Sequence, residues 1–143
     1  MILHYFLVGM KEFFSYSIVR TAAMMFGLLA LLILYRRLSI MIQSGGRFCS
    51  SYKIVNSVFY IHSGIVSGNR KILLKNINQV TIHLVRGRTG NGNRYHIELG
   101  MKTGRNKAFL VGQSKRTAGE ITEMQKLLKK NKVKVNYYDY TKV

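Results

Sequence analysis

The chain predicts an α+β fold: an N-terminal transmembrane helix, then a small antiparallel sheet or half-barrel closed by a C-terminal helix. Three observations carry this. Thr21–Tyr35 holds no charge and no strong helix breaker, and Arg36-Arg37 follows at once. Beyond Ser44-Gly45-Gly46, short β-branched and aromatic runs are separated by glycine, serine and asparagine turns. After Ala108–Val111 the pattern changes to helical spacing.

The helix comes first. At about 1.5 Å per residue, Thr21–Tyr35 reaches roughly 22 Å, short of a hydrocarbon core of about 30 Å. Extending back to Phe13 gives about 34 Å and includes one charge, Arg20. Extending forward would bury both Arg36 and Arg37, so the span is expected over residues 13–35. Arg20 has two readings: it snorkels to the outer headgroups, or it is an intramembrane charge that meets an acid on a partner helix. No acid in its own span could pair with it. Residues 1–10 are apolar but too short to span, and suit an interfacial segment with Tyr5 and Phe6 at headgroup depth. A second span through them would take in Lys11, Glu12 and Arg20. A cleaved signal peptide is the rival, but the apolar run ends in Arg-Arg rather than small residues.

Charge sets the expected topology. The 143 residues carry 23 Lys and Arg against five acids, a formal net charge of +18. Of those cations only Lys11 and Arg20 precede residue 36. The positive-inside rule therefore expects the N-terminus outside and the C-terminal part in the cytoplasm, at the inner membrane, or in the matrix if the membrane is an organellar inner one. The expected division is an anchor over residues 1–43 and a basic domain over 44–143. Cys49 is the only cysteine, so no internal disulfide forms, which suits a reducing compartment.

The domain follows. Residues 52–61 read as strand, with Asn56-Ser57 dividing it into two. His62-Ser63-Gly64 and Ser67-Gly68-Asn69 read as turns, and residues 70–74 as strand before a break at 76–78. Gln79–Val85 alternates: Val80, Ile82 and Leu84 share one face, and Thr81, His83 and Val85 the other. Arg86–Arg94 reads as a hairpin loop, residues 95–101 as its return strand, and residues 108–111 as a short strand. Thr117 and Glu120 have capping-box spacing before a helix whose stripe is Ile121, Met124 and Leu128, widened by Leu127. The tail, residues 132–143, alternates like a strand that pairs with a sheet edge or a partner.

Element order resembles the membrane-anchored bacterial PH-like family. The residues behind this are Val58–Gly64 and Ile72–Val80, where a strand ends in a glycine turn and a basic, apolar strand leads into an Ile-x-x-Val turn. Residues 95–99, 108–111 and 117–130 follow in matching order, so the resemblance covers about residues 52–130. The family often has a helical hairpin and a proline before that turn; this chain has one clear span and no proline. The resemblance implies a scaffold or interaction module at a membrane and supplies no catalytic residue.

Catalytic material is scarce. His62, His83 and His96 form no H-x-x-H spacing, paired carboxylates are absent, and Glu98 is the one acid that could join His83 and His96 at a metal. No cofactor, metal or enzymatic activity is expected. Gly87-x-x-Gly90-x-Gly92 joins two strands and lacks the Gly-Lys-Ser/Thr ending of a phosphate loop.

Anionic lipid or phosphate contacts are expected at Arg36, Arg37 and Arg47 beside the bilayer, and at Arg86, Arg88 and Arg94 on the hairpin. Arg70, Lys71, Lys75, Lys102, Arg105, Lys107, Lys115 and Arg116 fall mostly in turns and extend the exposed basic surface. The expected partners are protein subunits of a larger membrane complex, such as a secretion or conjugation machine, together with anionic phospholipids. The rival is a membrane-tethered nucleic-acid-binding or ribosome-associated protein. Tyr95 beside Arg94, and Tyr137-Tyr138 near Lys134, are its candidate stacking rings.

Overall fold

A computed structural model describes residues 2–63, 65–88 and 92–142. It divides into two compact units, Met1–Arg36 and Arg37–Val143.

The first unit is helical. Helix α1 (Ile2–Ser15) precedes α2 (Ser17–Ser44), with a bend at Tyr16 between them. The long helix thus starts at Ser17 rather than Phe13. The Ser15 hydroxyl donates to the Glu12 carbonyl, a local bond that competes with helix continuation. Helix α2 is long and apolar enough to cross a membrane, with a mean hydropathy of 2.1 over its most apolar stretch. Over that stretch the apolar side chains find no cover among the described residues: Met24, Met25, Phe26 and Leu31 are all more than 60% exposed. A monomer in water rarely leaves such a surface open.

The second unit begins with the last two turns of α2, which continue past Arg36-Arg37 as the sequence suggests. Three contacts tie them down. Ile40 packs with Val58 and Tyr60. The Arg37 guanidinium donates two hydrogen bonds to the Phe48 carbonyl, at 3.2 and 2.8 Å, and lies 4.9 Å from the centre of the Phe48 ring. Ser44 meets His62. Gly45, at φ +61°, takes the left-handed conformation that ends the helix.

Two sheets follow. The first is antiparallel, in the order β1 (Tyr52–Val55), β2 (Val58–Ile61), β3 (Lys71–Leu73). Asn56 and Ser57, at φ 50° and 60°, form the two-residue turn between β1 and β2, so the break read at those residues is a tight hairpin. A single 3-10 turn, Leu74–Asn76, leads into the second sheet. That sheet is mixed, in the order β6 (Lys107–Gly112), β5 (Arg94–Met101), β4 (Ile77–Val85), β7 (Lys134–Asp139). Its hairpin loop includes residues 89–91, and with them Gly90, which lie outside the described residues, as does the turn glycine Gly64.

The architecture is therefore α+β, but it holds two sheets, one of them mixed, and the described residues close no barrel. The difference lies in the tail. Helix α3 (Lys115–Lys130) carries the chain back so that β7 runs parallel to β4, from Gln79 opposite Lys134 to Leu84 opposite Asp139. The expected strand-like tail thus pairs with a sheet edge. Its own alternation contains no signal of direction, and a helical crossover is what permits a parallel neighbour.

One core joins the pieces. Phe59, Ile61, Val80, Ile82, Ile97, Leu99, Met124 and Leu128 are essentially sealed. The alternation of β4 holds: Val80, Ile82 and Leu84 are buried, while Thr81, His83 and Val85 are half-exposed. The stripe of α3 also lies as expected, with Ile121, Met124 and Leu128 buried and Leu127 partly so. Its N-terminus does not. The N-cap is Ser114, whose hydroxyl accepts from the Thr117 amide at 3.1 Å while the Thr117 hydroxyl accepts from the Ser114 amide at 2.7 Å. Serine caps at least as well as threonine, so the cap forms three residues earlier. Glu120 instead accepts from Arg116 at 3.1 Å, and its carbonyl accepts from the Tyr52 hydroxyl at 2.6 Å, joining α3 to β1.

Candidate interaction face

The outward face of the second sheet gathers the polar and aromatic residues that its alternation turns away from the core. Register places Leu110, His96, His83 and Tyr138 in one row across all four strands. The rings in that row stack. His83 and His96 lie 5.9 Å apart at 29°, His83 and Tyr138 5.4 Å apart at 16°, and His83 and Tyr140 5.8 Å apart at 22°. Tyr140, past the end of β7, is held by its amide bond to the Leu84 carbonyl at 2.9 Å. Tyr138 and Tyr140 remain about half exposed.

The next row is Ala108, Glu98, Thr81 and Asn136. Glu98 accepts a hydrogen bond from the Asn106 amide at 3.1 Å. His83 and His96 thus face each other as a cross-strand pair. Among the described residues, no group of three or more His, Cys, Asp or Glu side chains is placed to hold a metal.

Most of the cations expected to meet anions are at the surface. Arg47, Arg86, Arg88 and Arg94 are exposed, and Arg94 stands opposite Val85 on the same sheet face as the rings. Arg20 is exposed in the first turn of α2 and Arg36 is half-exposed. Arg37 is committed to Phe48. Arg70 departs from the exposed basic surface expected of it. It is buried, with its guanidinium donating to the Ser63 carbonyl at 3.1 Å, because it sits where the loop after β2 folds back on itself.

The tyrosines flagged as stacking rings separate. Tyr95 is 4% exposed in the core, so it offers no platform. Tyr138 is on the open face. Tyr140 was legible too, two residues beyond Tyr138 and on the same side of an alternating strand.

Sequence reading missed a buried polar lock. His62 is 1% exposed, and its Nδ1 lies 3.1 Å from the Ser50 carbonyl while its Nε2 lies 2.9 Å from the Ser44 hydroxyl. A carbonyl only accepts, so Nδ1 carries the proton and Nε2 accepts from Ser44. Burial, with Arg37 and Arg70 nearby, pushes the His62 pKa below its ordinary value, against the bond to Ser50. Gly46 is part of the lock, because a Cβ there would meet His62 Cε1 at 2.5 Å. The pair resembles a nucleophile and base in spacing, but both members are sealed from solvent, Ser44 being 6% exposed. Its work is to join the end of α2 to the end of β2.

Compared with known proteins, the chain matches no family model, no curated protein and no solved structure.

Proposed function

We propose that this is a non-enzymatic, single-pass membrane protein that serves as a subunit of a larger membrane complex. Helix α2 is the anchor, and the basic unit after it binds protein partners and anionic headgroups on the cytoplasmic side of an inner membrane. The observation that carries the reading is the union of two unlike surfaces in one chain. The apolar stretch of a helix finds no cover among the described residues, and a compact unit with most of its cations exposed has few acids to neutralise them. Arg36 and Arg47 stand close in sequence to the anchor, and a cation near an anionic leaflet contributes about 1 kcal/mol. The PH-like resemblance agrees with an interaction module, and a secretion or conjugation machine is a setting that suits this topology.

The stacked row His96, His83, Tyr138 and Tyr140, with Arg94 on the same face, favours a second reading as a membrane-tethered nucleic-acid binder. Bases stack on such rings, and phosphates meet the surrounding cations.

One experiment separates the two. The full-length protein is purified in mild detergent, the eluate is divided, and one half is treated with nuclease before mass spectrometry. Membrane proteins that remain in both halves support the subunit reading. Nucleic acid or ribosomal proteins lost on nuclease treatment, with binding that falls steeply as salt rises, support the second and overturn the first.

A further inference from the structure

The first sheet has an edge strand in β3 and the second in β6. Between β6 and the loop after β2 the described residues leave a groove of about 670 Å³, lined by Val66, His96, Arg105, Lys107, Phe109 and Leu110 among others. A second groove of about 390 Å³ continues past Lys107 to Lys71 on β3. The Lys107 ammonium donates to the Ser67 carbonyl at 3.1 Å and so ties β6 to the loop between β2 and β3.

The edge of β6 is built to accept a strand. It pairs with β5 on one side only, from Arg94 opposite Gly112 to Leu99 opposite Lys107, so alternate amides and carbonyls face the groove. It has no proline, and Lys107 is the one charge on it. Phe109 turns into the core while Leu110 is 59% exposed, so the groove follows the strand's edge and touches both of its faces.

Charge selects the occupant. Neither groove includes an Asp or Glu among the described residues, while Lys71, Arg105 and Lys107 supply cations. Glu98 is on the neighbouring face and is held by Asn106. A second copy of this chain is a poor fit, since it would bring a net charge of +18 against the same cations. We infer that the cleft along β6, between that strand and the loop after β2, binds an extended segment of a partner protein in which acidic and apolar residues alternate. The segment adds a strand to β6, sets its apolar side chains beside Val66 and Leu110, and sets its carboxylates near Arg105 and Lys107. This deepens the subunit reading, on which it rests, by naming the chemistry of the partner.

The test uses full-length protein in detergent micelles and a synthetic peptide of alternating glutamate and valine, about six residues long, the length of an ordinary strand. Hydrogen exchange followed residue by residue is the readout. The expected result is slowed exchange at the amides of β6, with binding weakened about tenfold in the Arg105→Glu, Lys107→Glu double variant. Both side chains are at the surface or half-exposed, so the variant should fold, and unchanged exchange in the core of β4 checks that it does.

Several results overturn the inference: no binding, equal binding of the matching lysine-valine peptide, or protection confined to the ring row of β4 and β7. Competition by a single-stranded oligonucleotide together with protection of the ring row points to nucleic acid instead. If the double variant still co-purifies the same nuclease-resistant membrane proteins, the subunit reading stands and the cleft is not where they bind.

Discussion

His62 shows how one residue couples the last turn of α2 to the first sheet of the second unit. Removing its ring leaves the Ser50 carbonyl to seek another partner and the Ser44 hydroxyl with only the Met41 carbonyl and the Gly46 amide, and a buried group left without its partner costs about 1–3 kcal/mol. The expected outcome for His62→Ala is at least that loss in urea unfolding of the detergent-solubilised chain. The pH dependence follows from the lowered pKa. Above the ordinary value of 6.5 the ring is neutral in folded and unfolded chains, and its full contribution is present. As pH falls below 6.5 the unfolded chain takes up a proton that the folded ring resists, so stability is lost down to the lowered folded value. The comparison is with His62→Asn, which should lack this component. A difference between the two proteins that does not change between pH 7.5 and 5 would refute the lock. Gly46→Ala probes the same site from the other side. Its methyl group would displace the ring, and the expected result is destabilisation comparable to losing the histidine.

Helix α3 and strand β7 show what an element owes to its neighbours. Ser114→Ala removes the N-cap of α3 and should cost about 0.5–2 kcal/mol in the same unfolding measurement, whereas Glu120→Gln, at the position expected to complete the cap, should cost less than Ser114→Ala. Much of this architecture was legible in the sequence. The alternation of Val80, Ile82 and Leu84, the stripe of Ile121, Met124 and Leu128, and the Asn56-Ser57 turn all record burial or backbone demands within a few residues of chain. Three features were not. The parallel pairing of β7 with β4 depends on where α3 delivers the chain, and nothing within residues 132–143 encodes direction. Arg70 reads as an exposed cation at the start of a strand, because the Ser63 carbonyl that receives it is brought near only by the fold. His62 reads as a turn residue, because Ser44 lies eighteen positions away and meets it only after the helix has ended at Gly45.

The whole molecule joins an apolar helix to a cationic unit, and the proposed function turns on whether the helix spans a membrane and on which side the unit then lies. The proposed sites offer different chemistry to partners, stacking on the rings of β4 and β7 and strand pairing with cations in the cleft along β6. Cys49 permits a direct test with the natural sequence, because it is the only cysteine and it is exposed in the second unit. The measurement is labelling by a membrane-impermeant maleimide, before and after permeabilisation, in cells that make the full-length protein, with alkaline carbonate extraction of the membranes alongside. The account predicts that the protein stays in the carbonate-washed membranes and that Cys49 is labelled only after permeabilisation. Labelling in intact cells would put the basic unit on the opposite side, and release into the soluble fraction would contradict the anchor itself.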